Sequence, residues 1–269
     1  SFDSSAAELN ATSKLVKAWE SKNAKNAAKA GGISLMALSL AACGGSSTTT
    51  TTSTDTTTTD TTVVTPVAQT FSLTTATDTV AGGTGDDTIS AARVDTIQTL
   101  NSGDVIDGGA GSDTLTANLN AQTVAPTITN VETVQLTNTS ATTIAVVDFV
   151  NTTGVTSIIN SASSFALTVD NVAAIAPVTI ENTSAATTVT FKDAAVAGTA
   201  DAVTLNLSSV SGGIITLGGE ATAGAGFETV NIVATGTNTT GNVLFGTTAT
   251  ALNVTGTGSL DMNVSSEFA

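Results

Sequence analysis

The sequence predicts an all-β fold: an elongated β-solenoid, preceded by a helical signal segment and a disordered linker. Three observations predict it. A short glycine-led phrase recurs between residues 78 and 116. Runs rich in Thr and Val then recur every ten to twenty residues, with Gly, Asn, Ser or Asp between most of them. Thr and Val favour strands, whereas Asn and Gly favour turns. The 269 residues hold one Trp and no Tyr, so the core is thin and built of small side chains. A solenoid tolerates such a core because each coil is buried by its neighbours.

Residues 1–43 come first. Residues 1–30 read as an amphipathic or simply basic helix with Lys14, Lys17, Lys22, Lys25 and Lys29, and with Leu9, Leu15, Val16 and Trp19 as its apolar positions. Residues 33–42 are almost wholly apolar and end in Leu40-Ala41-Ala42-Cys43-Gly44-Gly45-Ser46. A basic stretch, a short apolar run and small residues before a cleavage point make a secretory signal. The run of about ten residues is too short to span a bilayer as a helix. Leu-Ala-Ala-Cys resembles the lipobox of bacterial lipoproteins. That resemblance implies that Cys43 is the acylated first residue of the mature protein and that any membrane attachment is through lipid. The same residues also suit a short buried helix with an incidental cysteine. Residues 44–70 are a Ser/Thr-rich linker, too polar to pack and suited to a flexible tether.

Residues 71–116 carry the repeated phrase. Its copies are Asp78-Thr79-Val80, Asp87-Thr88-Ile89, Asp95-Thr96-Ile97, Asp104-Val105-Ile106 and Asp113-Thr114-Leu115, the aspartates spaced nine, eight, nine and nine residues apart. Two copies have the full lead-in: Gly82-Gly83-Thr84-Gly85-Asp86-Asp87 and Gly108-Gly109-Ala110-Gly111-Ser112-Asp113. Glycines let the backbone turn tightly, so that carbonyl oxygens can point at one spot. The aspartate adds a hard, charged oxygen, which suits calcium. The apolar residue two places on opens a strand and points into the core. Half-turn and strand alternate, and a pair of such units makes one coil of a parallel β-roll. The phrase is the G-G-x-G-x-D-x-U-x nonapeptide and resembles the calcium-binding repeats of RTX proteins. The resemblance implies Ca2+ held between coils by Gly82, Gly83, Gly85, Asp87, Gly108, Gly109, Gly111 and Asp113, and by Asp78, Asp95 and Asp104 of the degenerate copies. The step of eight to Asp95 implies a slip of register there.

Residues 117–269 are predicted to continue the solenoid. β-type runs fall at 132–136, 143–147, 187–191, 202–207, 214–217, 228–233 and 251–254, with apolar residues alternating with Thr or Asn. One phrase occurs twice, Val131-Glu132-Thr133-Val134-Gln135-Leu136 and Phe227-Glu228-Thr229-Val230-Asn231-Ile232. No helix is predicted after residue 70. The nonapeptides, followed by Ile128-Thr129-Asn130-Val131-Glu132-Thr133-Val134 and Thr/Ala/Val-rich rungs, resemble the lattice-forming part of proteobacterial surface-layer (S-layer) proteins. The resemblance covers residues 72–269. It implies an exported, elongated β-solenoid whose assembly depends on calcium, at the cell surface of a Gram-negative bacterium or outside the cell. That family is usually exported through a C-terminal signal, and the lipobox-like segment departs from this pattern.

Composition narrows the function. With no His and a single Cys, the chain holds no Ser-His-Asp triad, no Cys-His pair and no His-ligated zinc, so it is not expected to be an enzyme. After Cys43 only Arg93 and Lys192 are basic, against nineteen acidic residues, a formal charge of −17. Such a polyanion is not a partner for nucleic acid. Dense Asp with little Lys suits neutralisation by divalent cations. The function expected is a calcium-dependent structural surface protein that associates with itself. The alternative is a surface lipoprotein or adhesin that binds a partner or a cell-envelope polysaccharide. A third reading, an enzyme or toxin whose catalytic part lies elsewhere, finds no support in these residues.

Overall fold

A computed structural model describes residues 65–220, 226–246 and 248–264. The expected signal helix, Cys43 and most of the tether lie outside the described residues. The strands are β1 (Thr70–Ser72), β2 (Thr79–Ala81), β3 (Thr88–Ala91), β4 (Val105–Asp107), β5 (Thr114–Leu119), β6 (Thr123–Val124), β7 (Thr127–Thr129), β8 (Thr133–Asn138), β9 (Ala145–Asp148), β10 (Ser157–Ser161), β11 (Leu167–Val172), β12 (Val178–Glu181), β13 (Thr187–Phe191), β14 (Ala202–Ser208), β15 (Ile215–Gly219), β16 (Thr229–Thr235), β17 (Thr237–Leu244), β18 (Ala251–Gly256) and β19 (Ser259–Val264). One short 3₁₀ turn, Asp193–Ala195, is the only helical element among the described residues.

The strands alternate between sheets. One sheet has nine strands in the order β1-β3-β5-β8-β10-β12-β14-β16-β18. Opposite it lie a three-stranded sheet, β2-β4-β7, and a seven-stranded one, β19-β17-β15-β13-β11-β9-β6. Every pairing between these strands is parallel. The unit is thus a parallel β-solenoid of about nine turns. A parallel partner one coil on requires the chain to cross over and come back, and the facing sheet is that crossover.

The register keeps one column of side chains in step along the whole stack. Phe71, Ile89, Leu115, Val134, Ile158, Val178, Leu205, Ile232 and Val254 are successive partners in the nine-stranded sheet. From Ile89 to Ile232 the column is buried. Burying each such aliphatic side chain contributes about 1.5–3 kcal/mol. The alternation seen in the sequence is the cause. In β5, Leu115, Ala117 and Leu119 are buried while Thr114, Thr116 and Asn118 are half-buried. The facing column includes Val147, Val169, Val189 and Leu217. Where the coils lengthen, Phe191 and Phe227 fill the extra space edge to face, ring centroids 5.3 Å apart.

The corners repeat as well. Ala162, Asn182, Ser209 and Gly236 directly follow β10, β12, β14 and β16, and all are left-handed, with φ of 53°, 53°, 56° and 68°. Buried amides inside the stack find partners. The Asn160 amide donates to Thr187 Oγ1 at 2.7 Å, and the Asn138 backbone N–H donates to Ser163 Oγ at 2.8 Å. Pairing of this kind is what makes buried amides tolerable.

Candidate calcium-binding coils

Four of the five repeat aspartates sit directly before a strand: Asp78 before β2, Asp87 before β3, Asp104 before β4 and Asp113 before β5. The apolar residue two places on points inward in each, with Val80, Ile89, Ile106 and Leu115 buried. The copies stack in two columns. Thr88 pairs with Thr114, which sets Asp87 against Asp113. Thr79 pairs with Val105, which sets Asp78 against Asp104.

Asp95 does not join either column, and this corrects the expected register. Residues 92–97 leave the coil as an excursion whose tip is an antiparallel bridge between Val94 and Ile97, and Gln98, Thr99 and Leu100 are buried again. Asp95 is exposed there with φ 54°, and Ile97 is 54% exposed. The coil from Thr88 to Thr114 is therefore eight residues longer than the coil from Thr70 to Thr88. The spacing of eight in the sequence marks an insertion, not a slipped repeat.

Each column is a ladder of carboxylates accepting backbone N–H groups from the coil before. In the Asp87 column, the Gln69 N–H donates to Asp87 Oδ1, the Asp87 N–H to Asp113 Oδ1 and the Asp113 N–H to Glu132 Oε2, all at 2.7 Å. In the other column, the Asp78 N–H donates to Asp104 Oδ1 at 2.9 Å. The glycines let the coils approach. A Cβ on Gly82 would lie 1.8 Å from the Gly108 carbonyl oxygen, and one on Gly85 2.3 Å from the Val67 carbonyl carbon. Gly109 and Gly111 have φ of 92° and 142°, and a Cβ on them would meet the carbonyls of Gly83 and Gly85. The paired-glycine lead-in is thus a steric requirement of stacking two corners backbone on backbone.

The columns differ in how far the protein itself satisfies them. Asp78 accepts from the Thr74 N–H and hydroxyl, and Asp104 Oδ2 accepts from the Asn101 N–H. Asp87 Oδ2 accepts from the Gly83 N–H at 2.8 Å. Asp113 Oδ2 is buried and has no hydrogen-bond partner. Burial pushes the Asp113 carboxyl above its ordinary value, against the Asp87 N–H bond, and the charges of Asp87, Glu132 and Asp86 add to the rise. Burial also raises Asp104, against bonds from the Asn101 and Asp78 backbone. A buried carboxylate oxygen without a partner, among other acids, is costly unless a cation lies beside it. The donor set fits a hard cation. Among the described residues no three acidic side chains converge on one point. Calcium takes about six to eight oxygens, so here it would draw on the glycine-corner carbonyls beside Asp87 and Asp113.

Glu132 was not among the expected ligands. It stands before β8 where aspartate stands before β3 and β5, and Thr133 pairs with Thr114. The signal was present: Glu132-Thr133-Val134 is the acid-Thr-apolar phrase without its glycines. The second copy behaves alike, for the Asp201 N–H donates to Glu228 Oε2 at 2.7 Å.

The family model for the RTX calcium-binding nonapeptide repeat (4 copies) matches residues 74–93 and 91–120. No curated protein and no solved structure matches the chain. The chain therefore carries RTX calcium-binding repeats, built into the first coils of a β-solenoid.

Proposed function

We propose that this chain is a calcium-dependent structural protein of the cell surface, which associates with itself through its solenoid in the manner of an S-layer. The observation that carries the reading is continuity. The nonapeptide coils are not an appendage: β3 and β5 are rungs of the same nine-stranded sheet that runs on to β18. Calcium would thereby set the order of the coils on which the rest stack. The fold and the repeats suit a calcium-binding structural or surface protein, and proteins with such repeats are typically extracellular or surface-associated. No helix among the described residues is long and apolar enough to cross a membrane. Attachment through an acylated Cys43 and a non-enzymatic role belong to the same proposal. Mass spectrometry of the protein from its native envelope tests the anchor: peptides running uncut from Ala42 to Gly44 would refute it. Light scattering and electron microscopy of the full chain with and without calcium test the assembly. Ordered assemblies with calcium are the expected result. A calcium-loaded monomer at high concentration would overturn self-assembly, and its retention on envelope polysaccharide would favour the adhesin reading.

A further inference from the structure

The glycine-rich match ends at residue 120, but the ladder of acids does not. The third coil rebuilds the corner with different residues. In the first coil, the Gly82 N–H bonds to the Asp107 carbonyl, and a Cβ on Gly82 would lie 1.8 Å from the Gly108 carbonyl oxygen and 2.6 Å from Asp87 Oδ2. One coil on, the Gly108 N–H bonds to the Thr129 carbonyl, and a Cβ on Gly108 would lie 1.9 Å from the Asn130 carbonyl oxygen and 2.5 Å from Asp113 Oδ2. The same carbonyl-and-carboxylate pair thus recurs, with Asn130 in place of glycine. Asn130 has φ 51°, the left-handed region that Asn enters more readily than other side chains. Asp113 lies five positions after Gly108, and Glu132 only two after Asn130. The extra methylene of Glu spans the shorter turn, and its carboxylate receives the Asp113 N–H at the 2.7 Å seen between Asp87 and Asp113.

We infer that the calcium ladder extends one coil past the nonapeptides, with Asp113 Oδ2, the Asn130 carbonyl and the Glu132 carboxylate contributing to a further calcium site between the second and third coils. The inference rests on the calcium reading of the repeats and adds a ligand set to it. Two observations carry it independently. Asp113 Oδ2 is fully buried and unpartnered. It also lies with the Asn130 carbonyl oxygen beside one point, the position that a Cβ on Gly108 would take, at 2.5 Å and 1.9 Å. The ladder ends at the next coil, where Thr156 bonds to the Glu132 carbonyl and brings no carboxylate.

Glu228 supplies the internal control. It receives the Asp201 N–H just as Glu132 receives that of Asp113, but Asp201 Oδ2 is taken by the Gly198 N–H at 2.8 Å. The test is calorimetric titration of the full, EGTA-stripped chain with calcium chloride, for the wild type, Glu132→Gln and Glu228→Gln. Gln keeps the oxygen that accepts the backbone N–H and removes only the charge, so a capping role alone leaves binding unchanged. Glu132→Gln is expected to bind one calcium fewer, or one calcium about tenfold more weakly, while Glu228→Gln matches the wild type. Unchanged binding by Glu132→Gln overturns the inference and leaves the nonapeptide sites standing. Equal weakening by both variants also overturns it, as a general charge effect. A wild-type chain that binds no calcium removes the calcium reading itself.

Discussion

Two residues of one phrase, Asp95 and Asp113, have opposite fates. Asp113 is buried with one oxygen unpaired; Asp95 is exposed at the tip of an excursion. Asp113→Asn is expected to weaken calcium binding strongly and Asp95→Asn to leave it unchanged, both read by calorimetry. Equal losses would return Asp95 to the ladder. Proton dependence belongs to the same scale. The raised values of Asp113 and Asp104 mean that the folded, calcium-free chain holds protons more tightly than the unfolded one. Their contribution to stability is complete below the ordinary carboxylate value of about 3.9 and is lost as pH rises through the raised folded values. In EGTA, the melting temperature is therefore expected to rise as pH is lowered from neutrality through that window. With calcium the sign reverses, because ligands must be deprotonated to bind metal. A calcium-free melting temperature that falls on mild acidification would contradict the burial of these carboxyls. Asp113 was legible in the sequence because glycine pairs announce their own turn. Asp95 was misleading because Asp-Thr-Ile suits a tight turn as well as a strand start, and spacing alone does not separate them. Glu132 was obscured because Asn130 replaces the glycine.

Among the elements, the strands that alternate cleanly were legible. The run at 187–191 is β13 itself, and those at 132–136, 202–207 and 228–233 fall within a residue or two of β8, β14 and β16. β10, β11, β12 and β17 were not anticipated. β10 buries Asn160 in line with Ile158, so a core position reads as polar. β17 carries Gly241 and a polar run, Thr237-Asn238-Thr239-Thr240, and takes its strand form from pairing with β19. Tertiary pairing decides such segments, not propensity. The column of partners gives a direct test. Leu115→Ala removes a fully buried side chain between Ile89 and Val134, and is expected to cost about 2–5 kcal/mol in denaturant unfolding with calcium present. Ile97→Ala, on the exposed excursion, is expected to change stability by no more than about 0.5 kcal/mol. Comparable losses would mean that the excursion packs as a rung.

For the solenoid as a whole, acidity and topology act together. The stretch after Cys43 carries a formal charge of −17, and its first coils line up carboxylates one coil apart. At an effective dielectric of about 20, two unit charges about 4 Å apart repel by roughly 4 kcal/mol. A domain is stable by only about 5–15 kcal/mol, so a few uncompensated pairs decide whether the coils form. Circular dichroism of the full chain is expected to show more strand and a higher melting temperature in calcium than in EGTA. Identical spectra and melting in both would mean that the coils stand without the ion. The repeating, acidic, all-β character was legible because it is written in composition and period. The number of coils and the pairing of nine strands in one sheet were not, since parallel partners lie some twenty residues apart and no local signal marks them.

The constant register has a mechanical corollary. Hydrogen bonds between strands run along the stacking direction, so a pull along that axis loads the coil interfaces in series, and the weakest yields first. In the seven-stranded sheet, β15 and β17 share only two register pairs, Ile215 with Val243 and Thr216 with Leu244, and β6 and β9 also share two, whereas β14 and β16, opposite the first of these, share seven. Rupture would begin on that face and peel toward the other, while an ion clamped between the early coils would stiffen the end at which the chain enters.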